Sequence, residues 1–306
     1  MPSSPSFPLS VLIPTYCYDC RPLVKELSRM ARQSGMRMEV LVADDGSPEA
    51  FRRTQREIDA LPDCRYMERA ENRGRAATRN ELARAARGSL LLFMDADARP
   101  VGDAFLADYL RASTPENVVY GGMQYPAELP PPGRRLRHLY GIRREQLSAR
   151  VRQAAPYARF NSICFLISRR LFLTVGFDEQ FVSYGHEDTY FGLCLQQKGI
   201  PMAHIDRPVL HLNTDADGSF LRKTRSALRA LVQQRRLLVS SSGLLRLLGW
   251  LESCGLSWLP VLFFRLFRRR IERRITNVPH PSFFLFSLYR AGYLCAYARK
   301  ERRRRK

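Results

Sequence analysis

Lysine is scarce: only 5 of the 50 basic residues are Lys, and the other 45 are Arg. Arginine suits phosphate recognition through its bidentate fork, although a genome-wide preference for Arg codons would give the same skew. Long apolar runs are missing too. The uncharged run from Ile275 to Tyr289 is 15 residues long and holds two prolines. A membrane span needs roughly 20 mostly apolar residues, so none is expected. The first ten residues, MPSSPSFPLS, lack a charged segment followed by an apolar core, so no signal peptide is expected. Seven cysteines, odd in number and thinly scattered, exclude a disulfide scaffold and suit a reducing cytoplasm. The lone Cys17-Tyr-Asp-Cys20 has no thioredoxin-like context, so coincidence is the preferred reading. No internal repeat is present. No glycine-rich phosphate loop follows the first apolar run, which reads Pro14-Thr15-Tyr16-Cys17. That absence counts against a nucleotidyltransferase.

What is present is charge, unevenly placed. The 306 residues carry a formal +21, with 45% apolar residues, enough to build a sizeable core. Residues 215–306 hold 21 basic and 5 acidic residues (+16), and residues 1–214 hold 29 and 24 (+5). A near-balanced body of 1–214 thus precedes a cationic segment, 215–306. Such a segment fits a polyanionic partner, either nucleic acid or an anionic membrane surface.

The body alternates apolar runs with helical spacing. Leu9–Ile13, Met38–Ala43 and Ser89–Met94 read as buried strands, with helices over 21–33, 48–61 and 75–87. Continuous apolar strands separated by helices predict a mainly parallel sheet in an α/β fold. Further strands are expected at Cys64–Met67, 117–122 and Asn161–Ser168, and short extended runs at Ala203–Asp206 and Val209–Leu212. A basic helix is expected after the Pro126–Pro132 loop through about Arg152, then helices at 169–175 and Thr189–Gln197. Beyond 215 the pattern is helical throughout.

Acidic clusters end two of the strands: Asp44-Asp45-Gly46-Ser47 and Asp95-Ala96-Asp97. In open α/β sheets that edge receives ligands. Two carboxylates two residues apart can share a divalent cation with a phosphate ligand, and Mg²⁺ or Mn²⁺ favours such oxygens. With Val11–Tyr16, Val42–Ser47, Asn72–Asn80 and Leu91–Asp97 in order, the chain resembles the family-2 glycosyltransferases, whose nucleotide-sugar domain is of GT-A type. A second block, Gly176–Asp188, resembles the acceptor-side segment of the galactosyltransferase-like branch, which commonly has Trp where this chain has Tyr184. The resemblance covers residues 9–213 and says little about 215–306.

The resemblance implies roles. Pro14, Thr15 and Tyr16 would lie against the nucleotide base; without it, Thr15 and Tyr16 are a strand-end turn. Asp45 would accept from the base imide N–H, with Asp44 beside it. Arg79 would reach the base or the phosphates; alone it reads as a helix-surface Arg. Asp95 would hold ribose or sugar and, with Asp97, the metal, Mn²⁺ or Mg²⁺. His211 would be a further metal ligand; a lone His is otherwise a core residue. Asp188 would be the general base, with Glu187, Tyr184 and Gly185 at the acceptor. An acidic pair starting a helix also complements its dipole. Asn161 and Asp178 would line the sugar pocket.

The implied activity is inverting, metal-dependent transfer of galactose or N-acetylgalactosamine from a UDP-sugar to a glycan or lipid-linked glycan. Trp250, Trp258 and Phe263 beside Arg265 and Arg268–Arg270 suggest peripheral docking on the cytoplasmic face of the inner membrane, besides ordinary packing on the body. A basic nucleic-acid-binding protein is the alternative. It explains +21 but not the acidic strand ends, and no nucleic acid is expected as partner.

Overall fold

The computed structural model describes residues 7–181, 185–212 and 215–305. The strands are β1 (Leu9–Thr15), β2 (Met38–Asp44), β3 (Cys64–Glu68), β4 (Leu90–Met94), β5 (Ala98–Arg99), β6 (Val118–Tyr120), β7 (Met123–Gln124), β8 (Cys164–Ser168), β9 (Met202–His204) and β10 (Val209–His211). The helices are α1 (Arg21–Ser34), α2 (Glu49–Gln55), α3 (Arg75–Ala85), α4 (Phe105–Ala112), α5 (Arg135–Arg144), α6 (Ala149–Gln153), α7 (Arg169–Val175), α8 (Glu187–Gln197), α9 (Asp217–Gln233), α10 (Arg235–Leu238), α11 (Gly243–Ser253), α12 (Trp258–Ile275) and α13 (Phe283–Arg305).

The chain divides into two compact units. The first holds Met1–Gln124, Gln146–Val182 and Glu187–Leu212; the second holds Tyr125–Glu145, Ser183–His186 and Asn213–Lys306. A single cut after residue 214 therefore describes the chain incompletely. The basic helix expected to run unbroken to Arg152 stops at Arg144 and resumes at Ala149, and its two pieces fall in different units. The apolar side of α5 explains this: Leu136 is fully buried in a cluster with Leu221, Phe264, Ile275, Phe286 and Tyr289. Asp217 ties this second unit together. Its buried carboxylate accepts from the Leu136 and Asn277 amides, both at 2.9 Å.

The first unit is an α/β fold. Its seven-stranded sheet has the order β3-β2-β1-β4-β8-β6-β9. Pairing is parallel throughout except around β8, which runs antiparallel to both β4 and β6. Every residue of β1, β2 and β8 is buried, so both sheet faces are covered, as uninterrupted apolar runs require. A second sheet of three short strands, β5-β10-β7, follows β4. Helix α4, Phe105–Ala112, lies in a stretch for which the sequence suggested no element; Phe105, Leu106 and Tyr109 are its buried side. Aromatic stacking holds α7 and α8 to the sheet: Phe93 lies 4.7 Å from both Phe165 and Phe172, and Phe191 of α8 stacks on Phe177 at 4.4 Å.

Candidate active site

The carboxyl ends of β1, β2 and β4 lie side by side because the three strands are paired in register, Thr15 against Asp44 and Leu12 against Phe93. The loop after β2 is tightly built. Asp44 is buried and accepts from the Ser47 amide at 2.6 Å. Ser47 Oγ in turn accepts from the Cys17 amide at 2.8 Å, which joins this loop to the one after β1. Gly46 has φ +80°, and a Cβ there would stand 2.6 Å from Asn72 N and Glu71 C. No other residue fits that left-handed, crowded position.

Asp45 is engaged as a latch. Its two oxygens accept from the Arg73 and Gly74 amides at 2.9 Å, and Arg69 adds a charged contact at 3.3 Å. The expected partner, a base imide, would have to share a carboxylate already holding the start of α3. Thr15 is buried and its hydroxyl donates to the Tyr18 carbonyl. Pro14 is buried within β1. Tyr16 is 54% exposed, the residue of this trio open to a flat ligand. Cys20 is buried, and burial pushes its thiol up to about 12, out of the reach of thiolate chemistry.

Arg79 corrects the helix-surface reading: its side chain is 0% exposed. Nη2 donates to Asp95 at 2.7 Å and Nη1 stands 3.6 Å from Glu187, with the guanidinium over the Phe177 ring at 5.2 Å. A buried cation between two carboxylates fixes the position of both. Neighbouring Asn80 clamps the Phe177 backbone on both sides, at 2.8 and 2.9 Å, and so seats the ring beneath Arg79. Neither Asn80 nor Phe177 stands out in the sequence. Asn80 ends the Asn72–Asn80 segment, which is the signal that could have found it.

Asp188 is the second residue of α8, half-buried. A chain of hydrogen bonds runs to it from the acidic strand end. The Asp95 amide donates to the Ile163 carbonyl (2.8 Å), the Ile163 amide to Asn161 Oδ1 (2.9 Å), and Asn161 Nδ2 to Asp188 Oδ2 (3.1 Å). Asn161 is thus a positioning residue. Loss of water around the Asp188 carboxyl, and then the charge of Glu187, raise its pKa to about 7 against the pull of the Thr189 amide and Arg79. A carboxylate tuned near neutrality is suited to take and release a proton.

The small sheet supplies the remaining part. β10 runs antiparallel to β5 with His211 opposite Ala98, and the Leu212 amide donates to the Asp97 carbonyl at 2.9 Å. This register brings His211 Nε2 to 3.6 Å from Asp97 Oδ2. The residues flanking this pair (Ala96, Ala98 and Leu212) line, with Tyr18, Asp19 and Arg99, a cavity of about 310 Å³, at the small end of ligand pockets. Among the described residues no group of three or more His, Cys, Asp and Glu side chains is gathered to hold a metal alone. The Asp97–His211 pair nevertheless fits a divalent ion. Two ligand atoms on one ion with bonds of about 2.1 Å lie at most about 4.2 Å apart, and phosphate oxygens and water complete such sites.

Of the other expected site residues, Tyr184 lies outside the described residues. Gly185 groups with the second unit, where its left-handed backbone (φ +102°) leaves a would-be Cβ 2.9 Å from that of Ala227. Close approach to α9 explains this glycine. Asp178 accepts from the Gln180 amide two residues on, a turn residue.

The description "glycosyl transferase family 2" matches residues 10–175. The chain belongs to this family. Its fold is that of solved glycosyltransferases. A mannosyltransferase, PcManGT, from Pyrobaculum calidifontis, solved in complex with GDP-Man and Mn²⁺, superposes with a TM-score of 0.57 at 17% identity, covering 97% of this chain and 87% of that one. Mannosyl-3-phosphoglycerate synthase from Rubrobacter xylanophilus gives 0.53 at 17% identity, covering 75% and 74%. No curated protein matches in sequence. The enzyme is a glycosyltransferase with a GT-A-like α/β domain and a helical C-terminal region.

Proposed function

We propose that this enzyme transfers a hexose from a nucleoside-diphosphate sugar, with inversion, to a hydroxyl of a glycan or lipid-linked glycan. The observation that carries the reading is the single constellation of Asp95, Arg79 and Glu187, with Asp97–His211 on one side and the Asn161-held Asp188 on the other. An acceptor oxygen attacks the anomeric carbon while the bond to the diphosphate breaks. The hydroxyl proton passes to Asp188, and Glu187 binds a sugar hydroxyl. Asp97, His211 and Asp95 are the residues to hold a divalent ion, Mn²⁺ or Mg²⁺. When bound, it would offset the charge of the departing diphosphate.

UDP-galactose or UDP-N-acetylgalactosamine is the first donor reading, from the Gly176–Asp188 block. GDP-mannose is the second, favoured by the GDP-Man bound to the Pyrobaculum enzyme and by the prior engagement of Asp45. The proposed place of work is the cytoplasmic face of the inner membrane, on an anionic surface; seven free cysteines suit that compartment. A thermal-shift panel of these three sugars with Mn²⁺, Mg²⁺ or chelator tests the reading. One sugar should raise the melting temperature only with metal. No shift with any of them would sink it.

A further inference from the structure

Helix α12 is built in two halves. Toward the rest of the second unit it buries Val261, Phe264, Ile271 and Ile275, with Phe264, Ile271 and Ile275 packed in the cluster that includes Phe286 and Tyr289. Its other side is uncovered. One i, i+4 row reads Trp258, Leu262, Leu266, Arg270, Arg274, apolar for three places and then cationic. Trp258 is 46%, Leu262 47% and Leu266 67% exposed. Phe263 and Phe267 are exposed on the adjoining row, as is Trp250 at the end of α11. Arg265, Arg268, Arg269 and Arg273 are exposed as well, and Glu272 is the one acid in the helix. No single helix among the described residues is long and apolar enough to cross a bilayer, and α11 and α12 reach that content together only across a 116° bend.

Exposed Leu and Trp cost free energy in water and gain it at an acyl boundary. The Arg rows beside them match a layer of anionic head groups. A second copy of the chain fits poorly, because a two-fold contact on this face would set the Arg clusters against each other when the helices run parallel, or each against the other copy's apolar half when they run antiparallel. Nucleic acid fits poorly as well, because Leu262 and Leu266 offer it neither stacking nor hydrogen bonds.

We propose that the outer face of α12, with Trp250 of α11, docks the enzyme on an anionic lipid surface. The Trp258–Phe267 half enters the head-group boundary and the Arg268–Arg274 half lies along it. This deepens the membrane part of the proposed function and rests on it for the purpose of docking, while the contact itself needs no nucleotide.

The test sediments the full chain with vesicles of phosphatidylcholine alone and of phosphatidylcholine with phosphatidylglycerol. Binding should be at least about tenfold stronger to the anionic vesicles and should fall with salt. Leu262→Gln with Leu266→Gln, and separately Arg269→Glu with Arg270→Glu, should each weaken it about tenfold or more. All four side chains are exposed, so the melting temperature should stay put. Equal binding to both vesicle types, no binding, or variants that bind like the parent would overturn the proposal. So would a solution dimer that the Leu pair dissolves, or retention on DNA in place of vesicles. Vesicle binding without any nucleotide-induced shift would refute the donor reading and leave the docking face standing.

Discussion

Replacing Asp188 by Asn separates the chemistry of this carboxyl from its cost to the fold. Asn is the neutral isostere of the protonated acid, so below about pH 4, where the parent is protonated both folded and unfolded, the variant and the parent should melt together. As pH rises, the parent must ionise a carboxyl whose folded pKa, about 7, lies above its ordinary value of 3.8. The folded state then holds its proton more tightly than the unfolded chain, and parent stability falls between roughly pH 4 and 7. The variant escapes this loss. A shift of about 3 units corresponds to about 4 kcal/mol. Screening at a half-buried position cuts this to on the order of 1–2 kcal/mol, or several degrees of melting temperature. Calorimetry at pH 5 and pH 8 reads the larger part of the difference, about two of the three units, and the variant should gain on the parent as pH rises. Transfer should meanwhile drop by about 10²–10⁴-fold with nucleotide-sugar binding retained. Parent activity should climb with pH through a limb near 7. A variant that transfers sugar within a few-fold of the parent, or that is less stable at pH 8 than at pH 5 relative to it, would refute the reasoning.

Arg79→Met should take the buried cation away from buried Glu187 and half-buried Asp95 and cost about 3 kcal/mol, read as a lower denaturant midpoint. Asp97→Asn should raise the Mn²⁺ concentration for half-maximal activity at least about tenfold while leaving the melting temperature in chelator unchanged. An unaltered metal dependence would remove Asp97 from that role. Gly46→Ala should cost about 2 kcal/mol or more, from its φ of +80° and the 2.6 Å approach to Asn72 and Glu71, and should lower the melting temperature even without ligand.

The strands were legible where burial on both faces leaves an apolar run, as in Leu9–Ile13 and Met38–Ala43. Their acidic ends were legible because polar residues stop such runs abruptly. The small sheet was not legible as a sheet. Two or three residues per strand carry no periodicity, and the register of Leu210 with Arg99 joins positions far apart in the chain. So the pairing of His211 with Asp97, which the family resemblance suggested, owes nothing to local pattern. Arg79 misled because a lone Arg in a helix reads as surface. Its burial comes from Asp95, Glu187 and Phe177, contributed by three other segments. The division of the basic stretch after Pro132 between two units was hidden for a related reason: helical spacing reports which side of a helix is apolar, not which core it meets.

The basic half of α12 contains neither lysine nor histidine. A guanidinium keeps its proton at every pH a folded protein meets, whereas the Asp188 carboxyl changes state near neutrality. On the docking proposed for this face, attachment and turnover would answer to different variables. If the face docks as proposed, a mild acidification would idle the enzyme without detaching it, since guanidinium groups hold their charge, and recovery would need only the return of pH, with no search for the surface. Release would instead have to come from a change in the lipids themselves, through their charge density.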